Sequence, residues 1–279
     1  MKPRPMRALI AKEFGEAVRS RWLAGFVITF CVMALGISVI GTLGATLGGY
    51  SGFGRTSATL VNLVLLVVPL MGLTTGAFSL AGEREHGTLT LLLALPLRPA
   101  QVFWAKAIGL ALALLSALSL AFGIAGMALA LRGGLLDATL YAEFFAATLL
   151  LAWVSLSIGL WIASRSRRVA PAVGLSLLVW LGLVFAGDLG ILGTSLAVRF
   201  SPEVLLATAS LNPLSLYRIL SVDLLNANLE MLGPAGLCAQ DLLGRGLLLT
   251  ALAGLLIWFV VTLGAAYLTY RRDPLRENE

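Results

Sequence analysis

Histidine and cysteine are nearly missing, and charge is scarce. His86, Cys31 and Cys238 are all the imidazole and thiol in 279 residues. A tight transition-metal site needs several such ligands, so none is expected within one chain. No CxxC occurs. Cys31 falls in an apolar run and Cys238 in a long loop, which leaves no disulfide framework to read. Charged residues make up only 12%, against about 25% in an ordinary soluble domain. Such a chain cannot cover a water-facing surface. The net charge of +6 does not point to nucleic acid, because the basic residues sit in short clusters between apolar runs, as in membrane proteins.

Catalytic signatures are missing as well. There is no HExxH, no GxSxG and no pair of aspartates inside an apolar run. Asp188 is the acidic residue nearest a run, and its place at the outer end of the fifth reads as facing water or headgroups. A phosphate-cradling GxxxxGK[ST] needs a lysine after glycine. Lys2, Lys12 and Lys106 are the only lysines, and none has that context. No cofactor is therefore expected in this chain; if ATP and Mg are used, another polypeptide binds them. No pair of Gly/Pro-broken helices repeats between the two halves, which weakens a secondary-transporter reading. A membrane-embedded enzyme ranks last.

What the chain does have is apolar length. Apolar residues make up 59% and the mean hydropathy is +0.94. Six uncharged runs stand out: Trp22–Leu43, Leu60–Ala81, Ala107–Leu131, Phe144–Ala163, Val169–Gly187 and Leu247–Tyr270. Each approaches or exceeds the roughly 20 residues that cross about 30 Å of hydrocarbon. Continuous runs, not short alternating ones, make them helices. The predicted fold is an all-α polytopic membrane protein with six transmembrane helices.

The basic residues set the orientation. Lys2, Arg4, Arg7, Lys12, Arg19 and Arg21 precede the first span, and Arg84, Arg98 and Lys106 follow the second. Arg165, Arg167 and Arg168 follow the fourth; Arg271, Arg272 and Arg276 follow the sixth. Arg55, Arg132, Arg199, Arg218 and Arg245 are left for the other side. Positive charge marks the cytoplasm, so both termini are expected there. The chain reads as multi-pass in the bacterial cytoplasmic (inner) membrane, with lipid as its solvent.

Three connecting segments carry pattern. Residues 1–21 contain an amphipathic helix: Met6, Leu9, Ile10, Phe14 and Ala17 share one face, with Arg7, Lys12, Glu16 and Arg19 around the rest. It either lies in the headgroup layer or carries a cytoplasmic partner, and the two uses are compatible. The second cytoplasmic loop reads GEREHGTLTLLLALPLRPAQVFWAKAIG, from Gly82 to Gly109. Glu83, Arg84 and Glu85 cluster at the exit of the second span. Gly87 and Thr88 then open a short apolar run from Leu89, which Pro96 and Pro99 break around Arg98. A short helix parallel to the membrane fits, and so does a plain interfacial linker. Residues 188–246 form a long outer loop with Asn212-Pro213 and Gly233-Pro234 breaks. Its apolar pieces read as short helices at, or dipping into, the outer leaflet. Asn212, Pro213, Tyr217 and Arg218 are the candidate outer gate or docking group, with a shielding cap as the plain alternative. Gly44 and Gly48 form a GxxxG, suited to close packing within the chain or to a dimer seam.

On the loop from Gly82 to Lys106, the basic leader and the six-span layout, the chain resembles permeases of type-2 ABC exporters. It matches their loop pattern at Gly82, Glu83, Arg84, Glu85, Gly87, Thr88, Leu89, Leu91, Leu92, Leu93, Pro96, Pro99 and Lys106; His86 departs from it. The resemblance implies a coupling helix in this loop, with Glu83, Arg84, Glu85, Gly87, Thr88, Leu89, Pro96 and Arg98 as ATPase-coupling residues. It also implies an ATP-binding cassette subunit dimer and a second copy of the chain as partners. The leader KEFGEAVRSRW, the same loop and LNPLSLYRIL (Leu211–Leu220) are similar to the permeases that serve nitrous oxide reductase maturation. That narrower resemblance implies a periplasmic assembly protein as partner and export of a sulfur species for copper-site assembly. An unrelated exported substrate, or a mechanical coupler that transports nothing, are the alternatives.

Overall fold

Backbone amides in hydrocarbon must be satisfied within their own segment, and the apolar runs do so as helices. The computed structural model describes residues 4–48, 52–88, 98–131, 138–196, 210–224 and 247–272, and no strand occurs among them. The helices are α1 (Arg4–Val18), α2 (Arg21–Gly48), α3 (Gly52–Glu85), α4 (Pro99–Leu131), α5 (Ala138–Arg165), α6 (Val169–Leu196), α7 (Pro213–Leu224) and α8 (Leu247–Arg272). Five of them, α3, α4, α5, α6 and α8, are long and apolar enough to cross a membrane; α1 and α2, bent by 56° at their junction, add a sixth when the bent pair is counted as one span. The all-α polytopic reading holds.

The helices outrun the apolar runs that announced them. α3 continues through Glu83–Glu85, and α4 begins at Pro99 instead of Ala107. Proline at the first helical position loses no needed amide, and the Gln101 side chain accepts the Arg98 N–H at 3.0 Å as in a capping box. α6 runs on past Gly187 to Leu196, so the outer segment begins as helix. At the α1–α2 elbow, the Ser20 hydroxyl accepts the Leu23 N–H at 3.1 Å and caps α2.

α3 and α5 form the centre, while α6 and α8 leave most of their surface open. Lipid supplies no hydrophobic drive between helices, so close contact and interhelical hydrogen bonds hold them. A Cβ on Gly72 would come within 2.7 Å of the Ala152 carbonyl, and one on Gly76 within 2.6 Å of that of Leu156. One on Gly159 would run into the Leu73 backbone. This Gly72/Gly76/Gly159 seam is the tight GxxxG contact; Gly44 and Gly48 have surroundings outside what the structure describes. Tryptophans then cross-brace the bundle. Trp22 Nε1 donates to Thr74 Oγ1 at 3.0 Å, Trp153 Nε1 to the Ala111 carbonyl at 3.2 Å and Trp180 Nε1 to that of Leu66 at 3.1 Å.

α7 is inserted into the bundle. Asn212 Nδ2 donates to the Leu183 carbonyl at 2.8 Å, and Trp258 Nε1 donates to the Ser210 carbonyl at 3.1 Å. Leu183 and Trp258 each stand 14 residues from the end of their helix where the basic residues gather, or about 21 Å. α7 therefore starts inside the ~30 Å apolar slab and rises away from the basic end.

Candidate functional site

Three successive residues at the end of α3 point about 100° apart around the helix axis, and each meets a different neighbour. Glu83 Oε1 lies 3.1 Å from Lys106 Nζ of α4 and 3.5 Å from Lys12 Nζ of α1. Arg84 Nη1 donates to the carbonyls of Ala163, Ser164 and Ser166 at 2.9–3.0 Å, which finish α5. Glu85 Oε2 accepts the Val169 N–H, which opens α6, at 2.6 Å. Cation on a helix C-terminus and carboxylate on an N-terminus both match the helix dipoles. The α5–α6 turn is held by Arg84 and Glu85 together.

The ion cluster around Glu83 has a buried centre, with Lys12 and Glu16 at its exposed rim. Lys106 Nζ sits 2.5 Å from Glu13 Oε2, with side chains only 3% and 4% exposed. Lys12 adds contacts at 3.4 Å to Glu13 and to Glu16. Burial works against the Lys12 charge, but the carboxylates of Glu13, Glu83 and Glu16 outweigh it and raise its pKa above the ordinary 10.5. α1 approaches close enough because Gly109 on α4 has no side chain. A Cβ there would come within 2.7 Å of Glu13 Cβ and 3.0 Å of the Ile10 carbonyl. Leu9 completes the contact, packed with Val102 and Ala105. The apolar face of the amphipathic leader is thus spent on α4.

The glycine of the loop motif has a defined task. Gly87 has φ +68, a left-handed conformation that ends a helix at little cost only without a Cβ. Its N–H donates to the Arg84 carbonyl at 3.1 Å, and Thr88 Oγ1 donates to the Glu83 carbonyl at 3.3 Å. Leu89 and Pro96, with the expected short helix between them, lie outside the described residues. The chain re-enters at Arg98, the cap of α4. The 89–97 segment thus connects the end of α3 to the start of α4, and the residues at the end of α3 form a charged plate that joins α1, α3, α4, α5 and α6.

The second predicted group is placed differently from the expectation. Asn212 is buried, and its Oδ1 accepts the Leu214 N–H at 2.9 Å while Pro213 takes the first position of α7. Tyr217 is fully buried, its hydroxyl 2.8 Å from Thr148 Oγ1 of α5. Asn212, Pro213 and Tyr217 therefore seat α7 in the bundle and offer no face for docking. The reason is that the apolar side of α7 finds more to pack against between α5 and α8 than over the outer surface. Arg218 is half-buried.

Glu13 and Lys106, the most buried ion pair of the described residues, do not stand out as a site in the sequence. A signal exists all the same: Glu13 falls four residues from both Leu9 and Ala17, inside the apolar stripe of α1. Lys106 likewise interrupts an apolar run between Ala105 and Ala107.

Comparison with known proteins finds a match over residues 7–275 to the family model described as ABC-2 family transporter protein. The chain is 32% identical over 267 residues to the "Probable ABC transporter permease protein NosY" of Stutzerimonas stutzeri, covering 94% of this chain and 96% of that one. It is 30% identical over 271 residues to the protein of the same name from Pseudomonas aeruginosa, covering 95% and 97%.

Proposed function

This chain belongs to the ABC-2 family of transporter proteins, and from that membership we propose that it works as a homodimeric permease driven by a separate dimer of ATP-binding subunits. As an ABC transporter permease subunit it is not itself an enzyme; ATP hydrolysis belongs to the partner. The basic end is the cytoplasmic one, both termini lie there, and the membrane is the bacterial inner membrane. The observation that carries this reading is the charged plate at the end of α3. A partner that acts at the end of α3 acts where Glu83, Arg84 and Glu85 tie that helix to α1, α4, α5 and α6, so the motion reaches the whole bundle.

The names of the two relatives and the LNPLSLYRIL motif support a role in nitrous oxide reductase maturation. The further partner is then a periplasmic assembly protein and the exported cargo a sulfur species for the copper site. The scarcity of soft ligands favours sulfur over copper ions. A gene deletion tests this: nitrous oxide reductase should accumulate without its complete copper site, and the wild-type gene should restore it while Glu83→Ala with Glu85→Ala should not. Normal maturation in the deletion strain would remove this role and leave the permease assignment standing.

A second reading, a mechanical coupler that moves nothing, draws support from α7, whose buried Tyr217 fills the bundle near Thr148. Uptake of radiolabelled sulfide-derived species by inverted vesicles holding both subunits separates the two. ATP-dependent accumulation supports transport, and ATP turnover without accumulation supports the coupler.

A further inference from the structure

One face of α1, with Leu9, Glu13 and Ala17, is buried. About 100° further round the helix a second face carries Arg7, Ile10, Ala11 and Phe14. These four share an open groove of about 620 Å³ with Leu112, Leu115, Ser116 and Ser119 of α4. The α4 residues follow i, i+3, i+4, i+7 spacing and so form one strip, turned away from the buried Ala113, Leu114, Ala117 and Leu118. Space is left because Ala11, Ser116 and Ser119 are small and stand among large apolar neighbours. The Ser116 hydroxyl donates back to the Ala113 carbonyl at 2.8 Å and asks nothing of a ligand.

Depth and charge say what fills the groove. α1 crosses α4 at Gly109, whose missing side chain admits the Ile10 carbonyl and the Phe14 amide. Gly109 lies at the start of the uncharged run of α4, which begins at Ala107. Leu112 to Ser119 stand about 5–15 Å beyond the crossing, so the groove descends from α1 into the apolar slab. An acyl chain suits that space, whereas a polypeptide segment would strand its amides there. Arg7 selects the headgroup. It is exposed and ion-pairs with no carboxylate of the described residues, because Glu13, Glu16 and Glu83 are taken by Lys12 and Lys106. A guanidinium fork at the mouth of an apolar groove matches a phosphate whose charge no ammonium of its own offsets.

We propose that this groove holds an acyl chain of an anionic phospholipid, of the phosphatidylglycerol type, with the lipid phosphate on Arg7. Such a lipid fastens α1 to α4. Since Lys12 and Glu13 of α1 meet Glu83 and Lys106, it steadies the leader against the end of α3. The proposal rests on the basic end lying at the membrane surface and is independent of the cargo and of ATPase pairing.

The test is native mass spectrometry of the full-length chain in detergent, with phosphatidylglycerol and phosphatidylcholine carrying identical chains. For the first lipid bound, the wild type should prefer phosphatidylglycerol by about fivefold, the worth of one arginine near an anionic headgroup. Arg7→Gln should bring the two lipids to equal affinity and leave phosphatidylcholine binding unchanged. Arg19→Gln, exposed beyond the other end of α1 and outside the groove, should keep the preference. Ser116→Leu should weaken both lipids several-fold by occupying the space of the chain, with helix content by circular dichroism unchanged. Equal affinities in the wild type, or a preference that survives Arg7→Gln, would overturn the proposal. So would a Ser116→Leu variant that binds both lipids normally but alters the oligomeric state, which would make the groove a contact between copies. Competition by glycerol phosphate at the affinity of the lipid would also overturn it, since a headgroup without chains needs no groove. Family membership and ATPase pairing survive any of these results.

Discussion

Lys106 and Glu13 form the shortest and most buried contact of the ion cluster, with Glu83 and Lys12 as their second partners. Taking away one partner of a buried pair costs up to about 3–5 kcal/mol, the more so the less the second partner compensates. Lys106→Met should therefore unfold in mild detergent at a markedly lower temperature than the wild type, whereas Lys106→Met with Glu13→Gln should recover part of the loss. A double variant no better than the single would show that the pair does not hold α1 to α4. Lys12 gives a pH signature. Its pKa is raised on folding above 10.5, so its contribution to stability is complete below that value and is lost as pH rises through the higher folded-state value. Circular-dichroism melts across this alkaline window should show a steeper loss for the wild type than for Lys12→Met. At this scale the sequence is only partly legible. It displays Glu83, Arg84 and Glu85 as a cluster, but the direction each one takes depends on which helices stand at 100° steps around α3. Glu13 looks like one more charge on an amphipathic helix, because burial by α4 is a property of Gly109, remote in sequence.

Among the elements, the α3–α5 seam depends on missing side chains. Backbone cannot yield as a side chain tip can, so Gly159→Val should cost about 1–3 kcal/mol or more through overpacking, and steric-trap unfolding in bicelles would measure it. A wild-type value would mean the helices stand farther apart than the geometry requires. α7 depends on its cap. Asn212→Ala removes the acceptor for the Leu214 N–H and should cost about 1–2 kcal/mol, visible as faster hydrogen exchange in α7 with α3 and α5 unchanged. Hydropathy makes the spans readable because every run has to cover the same slab. It cannot show their ends, since α3 and α4 continue as helix beyond the hydrocarbon on charged turns that hydropathy counts as loop. Nor can it choose between two GxxxG pairs: Gly44/Gly48 and Gly72/Gly76 look alike until Gly159 is seen opposite the second. α7 is legible as a helix broken at Asn212-Pro213, yet its depth comes from Leu183 and Trp258, which only the fold brings to it.

For the whole molecule, the proposed function makes the end of α3 the point at which a partner's ATP cycle enters the bundle. Gly87 is the sharpest handle on that point, because it lies outside the packed core and is held at a left-handed φ. Placing a β-branched residue there costs about 1–3 kcal/mol of backbone strain at the end of α3. The deciding measurement is ATP turnover by the ATP-binding subunit co-purified with this chain in nanodiscs, for wild type and Gly87→Val. Coupling through the end of α3 predicts no turnover by the chain alone, normal assembly of both complexes, and a turnover about tenfold lower for Gly87→Val. ATP hydrolysis by the chain alone, or an assembled Gly87→Val complex at the wild-type rate, would contradict it.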